Sequence, residues 1–128
     1  MNNRLVTVFC VALATVAGAA DQAPSFVSAG REYHFDTGAL RGTLRAEGKS
    51  LGLTAVTETA SGAKVSRFSG LFSPYRMLDA DARYGTAAWD WASTARLLPD
   101  GAVEVRWTAD AAHPFDMTAV YRLSLIHI

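Results

Sequence analysis

The sequence contains one cysteine, Cys10, and it lies inside an apolar run close to the N-terminus. Setting that run aside leaves no thiol at all. A disulfide framework, a thiolate metal site and a cysteine nucleophile are therefore excluded from the rest of the chain. An excess of one charge is also missing: lysine plus arginine and aspartate plus glutamate each number 12. Without a basic surplus to neutralise phosphates, nucleic acid is not an expected partner. No block of like charges occurs that would read as an interaction tail. The strong catalytic signatures are absent as well: there is no G-x-S-x-G, no H-E-x-x-H, no P-loop and no G-x-G-x-x-G. The three histidines, His34, His113 and His127, stand apart, without a second ligand at i+2 or i+4. They read as polar edge residues, and neither a metal nor another cofactor is expected.

What is present begins with a three-part start. One positive charge, Arg4, precedes the apolar run LVTVFCVALATV at residues 5–16, and small residues follow up to Asp21. That is the layout of a secretory signal peptide, with Ala17 and Ala19 in the A-x-A positions. The run falls short of the roughly 20 residues of a membrane span, so no stable span is expected after cleavage. Phe9 before Cys10 is too large for a lipoprotein junction. The reading is therefore a signal helix over residues 1–20, export to the periplasm or beyond, and a polar leader over 21–30 (DQAPSFVSAG). The remainder, 31–128, is one domain by length. Its end is abrupt: LSLIHI at 123–128 resembles the read-through of a sequencing adapter. The expectation is a domain truncated at its C-terminus, with 124–128 non-native.

Between these ends the apolar residues alternate, the mark of half-buried strands. In AVEVRWT (102–108), Val103, Val105 and Trp107 share one face and Glu104 and Arg106 the other. Pro99-Asp100-Gly101 before it is turn chemistry, so residues 95–108 read as a hairpin. A second hairpin joins 40–47 to 51–59 through Glu47-Gly48-Lys49-Ser50. A further turn at Ser61-Gly62-Ala63-Lys64 leads into 65–68. Residues 31–35 supply a first strand. In FDMTAVYRL (115–123), Phe115, Met117, Ala119, Tyr121 and Leu123 share a face. Short strands with turn signals and little helix between them predict an all-β fold, an antiparallel sandwich. The segment 74–83 reads as an excursion loop.

The chemistry-bearing candidates gather in the middle of the chain. In YGTAAWDWAS (84–93), Trp89 and Trp91 flank Asp90. On a strand the two indoles would point one way and Asp90 the other. Two readings follow. The pair is core, supplying burial that a small domain needs, or it is a flat platform for the C–H face of a sugar. Small neighbours such as Ala87 favour the core. Asp90 then looks outward or into a groove and needs water or an arginine beside it, with Arg76, Arg83 and Arg96 as candidates. The ligand-binding set is Tyr75, Arg76, Tyr84, Trp89, Asp90 and Trp91. The other acids, Asp79, Asp81 and Glu104, read as solvated surface groups.

Residues 35–65 (FDTGALRGTLRAEGKSLGLTAVTETASGAKV), with GLFSPYR at 70–76 and LPDGAVEVRW at 98–107, resemble the opening meander of galactose-mutarotase-like β-sandwich domains. The likeness lies in strand rhythm and in turns such as Ser61-Gly62-Ala63-Lys64-Val65. It implies sugar binding on a sheet face. The glutamate base and histidine acid of that family's epimerases have no matching positions here, since their segments would lie beyond Ile128. The functional expectation is an exported, carbohydrate-associated sandwich domain without turnover of its own. The alternatives are a small enzyme using Asp90 or Glu104 with Arg76, and an envelope structural or interaction module without a small ligand.

Overall fold

Residues 103–107, where alternation is cleanest, form the centre of a sheet in the computed structural model, which describes residues 4–5, 23–67, 70–74 and 87–124. In chain order the elements are β1 (Arg4–Leu5), β2 (Val27–Ala29), β3 (Glu32–Asp36), β4 (Leu40–Arg45), β5 (Gly52–Glu58), α1 (Ala87–Asp90), β6 (Ser93–Leu97), β7 (Val103–Trp107) and β8 (Met117–Tyr121). They make two four-stranded sheets, ordered β2-β3-β4-β5 and β1-β8-β7-β6. All pairings are antiparallel except the two-residue β1, which runs parallel to β8. The protein is all-β. Of the expected signal segment only residues 4–5 are described, and residues 125–128 of the expected non-native tail lie outside the described residues.

Both sheets turn one face to a single core. From the first come Phe26, Tyr33, Phe35, Leu44, Leu53 and Val56; from the second, Val103, Val105, Trp107, Met117, Ala119 and Tyr121. The period of two explains the second set directly. In β7 and β8 every other residue is buried, and the residues between them are partly or fully exposed. The β6–β7 hairpin closes as its turn residues dictate. Gly101 takes φ 80°, its amide bonds the Leu98 carbonyl at 3.0 Å, and the Asp100 carboxylate accepts from the Ala102 amide at 3.1 Å. The β4–β5 hairpin turns at Gly48, which takes φ 79°.

Hydrogen bonds among the described residues join the two halves. The Phe26 amide donates to the Gly101 carbonyl at 3.0 Å, the Ser93 hydroxyl to the Ala46 carbonyl at 2.8 Å, and the Tyr121 hydroxyl to the Phe72 carbonyl at 3.0 Å.

The structure differs from the sequence reading in three places. Within the segment read as a leader, Phe26 is a core residue and Val27–Ala29 pairs with β3. A large aromatic gains more from the core than a polar context costs it. The segment 65–68 that the turn at 61–64 leads into contributes no strand over its described residues: an isolated bridge joins Lys64, in the turn itself, to Thr57, and the Val65 amide bonds the Val56 carbonyl at 2.8 Å. The Trp89-Asp90-Trp91 stretch is not a strand: residues 87–90 form one helical turn. The opposed faces expected for Asp90 and the tryptophans therefore do not arise from a pleat.

Candidate functional site

The sequence candidates fall into three groups. Tyr75, Arg76 and Tyr84 lie outside the described residues, as do Asp79, Asp81 and Arg83. Trp91 is only 2% exposed and belongs to the core. Its indole N–H donates to the Thr108 carbonyl at 2.7 Å. One face of it is stacked on the His113 ring at 4.5 Å and an interplanar angle of 9°, and Phe115 meets it edge-on at 5.6 Å. A ring so covered presents no platform to a sugar. Trp89 is half-buried against the core, and Asp90, at the end of the helical turn, is exposed. Arg96, one arginine weighed for Asp90, instead pairs with Glu104 across the β6–β7 hairpin at 2.8 Å. The carboxylate of Asp116 accepts from the Ala109 amide at 2.7 Å, closing the loop before β8.

His113 is not the edge residue its sequence context predicts. It is 8% exposed, the one buried polar residue among the described side chains. Asp110, three residues earlier, holds it. A single carboxylate oxygen, Oδ1, accepts from the His113 amide at 2.8 Å and the Ala112 amide at 2.9 Å, and it lies 2.8 Å from the His113 ring Nδ1. Desolvation is the largest influence on Asp110 and acts to raise its pKa. The hydrogen bonds from the His113 ring and amide and from Ala112 together outweigh it and hold the carboxyl below its ordinary range. This cluster shapes the 108–116 loop and lays a flat ring over Trp91. Its polar atoms are turned on one another, so it is an anchor for the core and offers little to a ligand.

A concave site lies elsewhere, on the outer face of the first sheet. Because side chains alternate, Tyr33 and Phe35 point to the core and His34 and Asp36 point out. Register then lines up the neighbours. Val27, His34 and Thr43 sit side by side across β2, β3 and β4, and Asp36, Arg41 and Thr57 across β3, β4 and β5. These six residues line an open groove of about 430 Å³.

An irregularity in β5 shapes the groove. The pairing register shifts between Arg41 and Thr43, so that Ala55 and Val56 together face the stretch of β4 at Gly42. Ala55 takes φ 51°, a left-handed conformation that costs a residue with a Cβ on the order of 1–2 kcal/mol. This is a β-bulge. It lets Leu53 and Val56, three apart, both point inward, and it places Ala55 outside on the groove wall. Opposite, Gly42 leaves room for the Phe35 ring: a Cβ there would lie 3.0 Å from ring carbons of Phe35 and from a methyl of Val56.

The polar groups of the groove are only partly engaged. His34 Nδ1 and the Thr43 hydroxyl are 3.0 Å apart, which leaves Nε2 for another partner. Asp36 accepts from the Gly38 amide at 2.7 Å through one carboxylate oxygen. Arg41 donates from Nε to the Thr57 hydroxyl at a long 3.4 Å. Although Asp36 and Arg41 are register partners, no ion pair joins them. The face thus offers acceptors, donors and hydroxyls on rigid strands. Apart from His34, read as a polar edge residue, none of these polar groove residues stands out in the sequence, because each is an ordinary residue of a strand. Only the register of four strands brings them together. Among the described residues no three of His, Cys, Asp and Glu gather closely enough to hold a metal ion, and no helix is long and apolar enough to cross a membrane. No protein-family model matches this chain, and no curated protein and no solved structure does either.

Proposed function

We propose that the chain is an exported, carbohydrate-associated β-sandwich domain that binds a sugar in the groove on β2–β5. The observation that carries this reading is the set of His34, Asp36, Arg41, Thr43 and Thr57 on one rigid face around a 430 Å³ concavity. Sugar hydroxyls need paired donors and acceptors at fixed positions, and planar side chains on strands supply both with little ordering cost. The apolar rim from Val27, 63% exposed, and Ala55 suits the C–H faces of a pyranose. The resemblance to galactose-mutarotase-like domains, which implies sugar binding on a sheet face, supports the same reading. The site residues differ from those the sequence singled out, and the binding role moves from the tryptophan stretch to the first sheet.

Isothermal titration of the purified protein with a panel of oligosaccharides tests the reading. Binding is expected in the micromolar to millimolar range, lost in Asp36→Ala with the fold retained. A panel without a single binder would end it. Export is tested separately by N-terminal sequencing of the secreted product, expected to begin just after Ala19 or Ala20.

One observation favours the alternative, an interaction module of the cell envelope. β2 is a three-residue edge strand with all its residues exposed, and Val27 projects from it. Such an edge accepts a further strand from a partner. A complex that survives Asp36→Ala but is lost on Val27→Lys would support that reading over the sugar site.

A further inference from the structure

We infer that the groove selects acidic sugars, a uronic-acid oligosaccharide rather than a neutral one, with Arg41 as the group that reads the carboxylate. This rests on the carbohydrate reading above. The reason is the unusual position of Arg41 among the arginines. Arg31, Arg45, Arg96 and Arg122 each meet a carboxylate, from Glu47, Glu32, Glu104 and Asp100 respectively. Arg41 meets none among the described residues, although Asp36 is its register partner. Arg67 and Arg106 also lack such a partner, but neither lines the groove. Nε of Arg41 leans on Thr57, which orients the planar guanidinium and leaves its terminal nitrogens for a ligand. A guanidinium fork matches a carboxylate with two parallel hydrogen bonds, a match a neutral hydroxyl cannot make.

The remaining groups narrow the class further. Asp36 holds a negative charge in the same groove, and its second oxygen has no hydrogen bond from the described residues. A phosphate monoester, with a charge of about −1.5 to −2, would place more negative charge near that carboxylate, with one arginine to offset both. A uronate carries a single charge at one end of the ring and hydroxyls along the other. It can set its carboxylate on Arg41 while its hydroxyls donate to Asp36 and to His34 or Thr43. The groove is open along the sheet, so it fits a chain of such units better than an enclosed monosaccharide.

The experiment is a titration of the full chain at low ionic strength with trigalacturonate, with its fully methyl-esterified neutral form, and with maltotriose. Trigalacturonate is expected to bind about tenfold or more tightly than its ester, since a charge-assisted hydrogen bond is roughly twice as strong as a neutral one. Arg41→Gln should erase that preference, bringing the affinity for trigalacturonate down to that for the ester, with the melting temperature unchanged. Equal binding of acid and ester, with dependence on Asp36, would overturn the acidic preference and leave the sugar site standing. Preference for the acid that survives Arg41→Gln would also overturn it, because the carboxylate would then be read elsewhere. No binding of any of the three would remove both this inference and the sugar reading beneath it.

Discussion

The two sheets share a core but solve different problems. In the second, β7 and β8 alternate without interruption, and outward charges meet in two pairs, Arg96 with Glu104 at 2.8 Å and Arg122 with Asp100 at 2.6 Å, although Arg106 has no such partner among the described residues. In the first, the regular β3 is followed by a strand with a glycine at its centre and a strand with a bulge. Its outer face carries the register pair Asp36 and Arg41 without an ion pair between them. A regular pleat stacks side chains evenly and leaves a flat face. A bulge bends the strand and opens a concavity, at the cost of a left-handed alanine. The second sheet is thus built mainly for stability, and the first accepts strain and unpaired polarity where a ligand can use them.

The strongest test of that division contrasts Trp91 with Arg41. Trp91 packs on Trp107, His113 and Phe115 at the base of the second sheet. Trp91→Ala is expected to cost about 3–5 kcal/mol, because it removes a large side chain and leaves a cavity. It also strands the Thr108 carbonyl that the indole satisfies. For a domain of this size that is a large part of the total stability. Arg41→Ala, on an exposed strand position, should change stability by no more than about 0.5 kcal/mol. Thermal melts of the two variants check the pair. An unchanged melting temperature for Trp91→Ala would break the comparison, since the second sheet would no longer be the one that the fold depends on.

Gly42→Ala probes the first sheet by the opposite route, adding an atom. The new Cβ would meet Phe35 and Val56 at 3.0 Å, closer than van der Waals contact. Phe35 cannot retreat freely, because Phe26 meets its ring edge-on at 5.7 Å. Overpacking of this kind costs about 1–3 kcal/mol, offset by roughly 0.5–1 kcal/mol from the stiffer unfolded chain. A net loss of about 1 kcal/mol is expected, with weaker ligand binding because β4 must shift under the groove. A stabilised variant with unchanged binding would show that the glycine is not what shapes this face.

How much of this was legible in advance follows the same division. The strands expected within 102–108 and 115–123 form as Val103–Trp107 and Met117–Tyr121, because alternation reports burial wherever the pleat is regular. The turns at Gly48 and Gly101 were read because a positive φ demands the residue types found there. The first sheet was harder. Phe26 is a lone apolar residue in a polar stretch, and periodicity needs repeats to register. In β5 the bulge shifts the phase, so Leu53 and Val56 fall on the same side against the simple rule. Trp89-Asp90-Trp91 alternates as a strand would, yet residues 87–90 take a helical turn, and three residues are too few to separate the two periods. His113 was read as an edge residue, although Asp110 three residues ahead was the one available hint of a closed turn. The groove had no signal at all in one dimension. Val27, His34, Thr43 and Thr57 are distant in sequence, and only strand register makes them neighbours.

The smallest expected effect concerns acid, and it falls on the second half of the molecule. Asp100 sits in the turn between β6 and β7 and is bound by Arg122 beyond the end of β8. The Arg122 hydrogen bond, then the Ala102 amide, hold its carboxyl below the ordinary aspartate range. Asp110, in the loop before β8, is also held low, against its desolvation, by the His113 and Ala112 hydrogen bonds. A carboxyl depressed in the folded state contributes stability that is fully present above its unfolded pKa, near 4, and is lost as pH falls through the folded value. Above that point the contribution is constant. Both groups are substantially exposed, so solvent screening keeps the effect modest. Asp100→Asn keeps an acceptor for the Ala102 amide but loses the charge that Arg122 meets. Urea denaturation of the wild type and this variant should show a small stability difference at neutral pH that shrinks as pH drops below about 4, where the unfolded carboxyl begins to take up its proton, and is gone once the folded one has done so. The two stability curves then converge. A difference that stays the same from pH 7 to pH 2 would mean that the aspartate acts through turn geometry alone, and that its pairing with Arg122 contributes nothing to the second sheet.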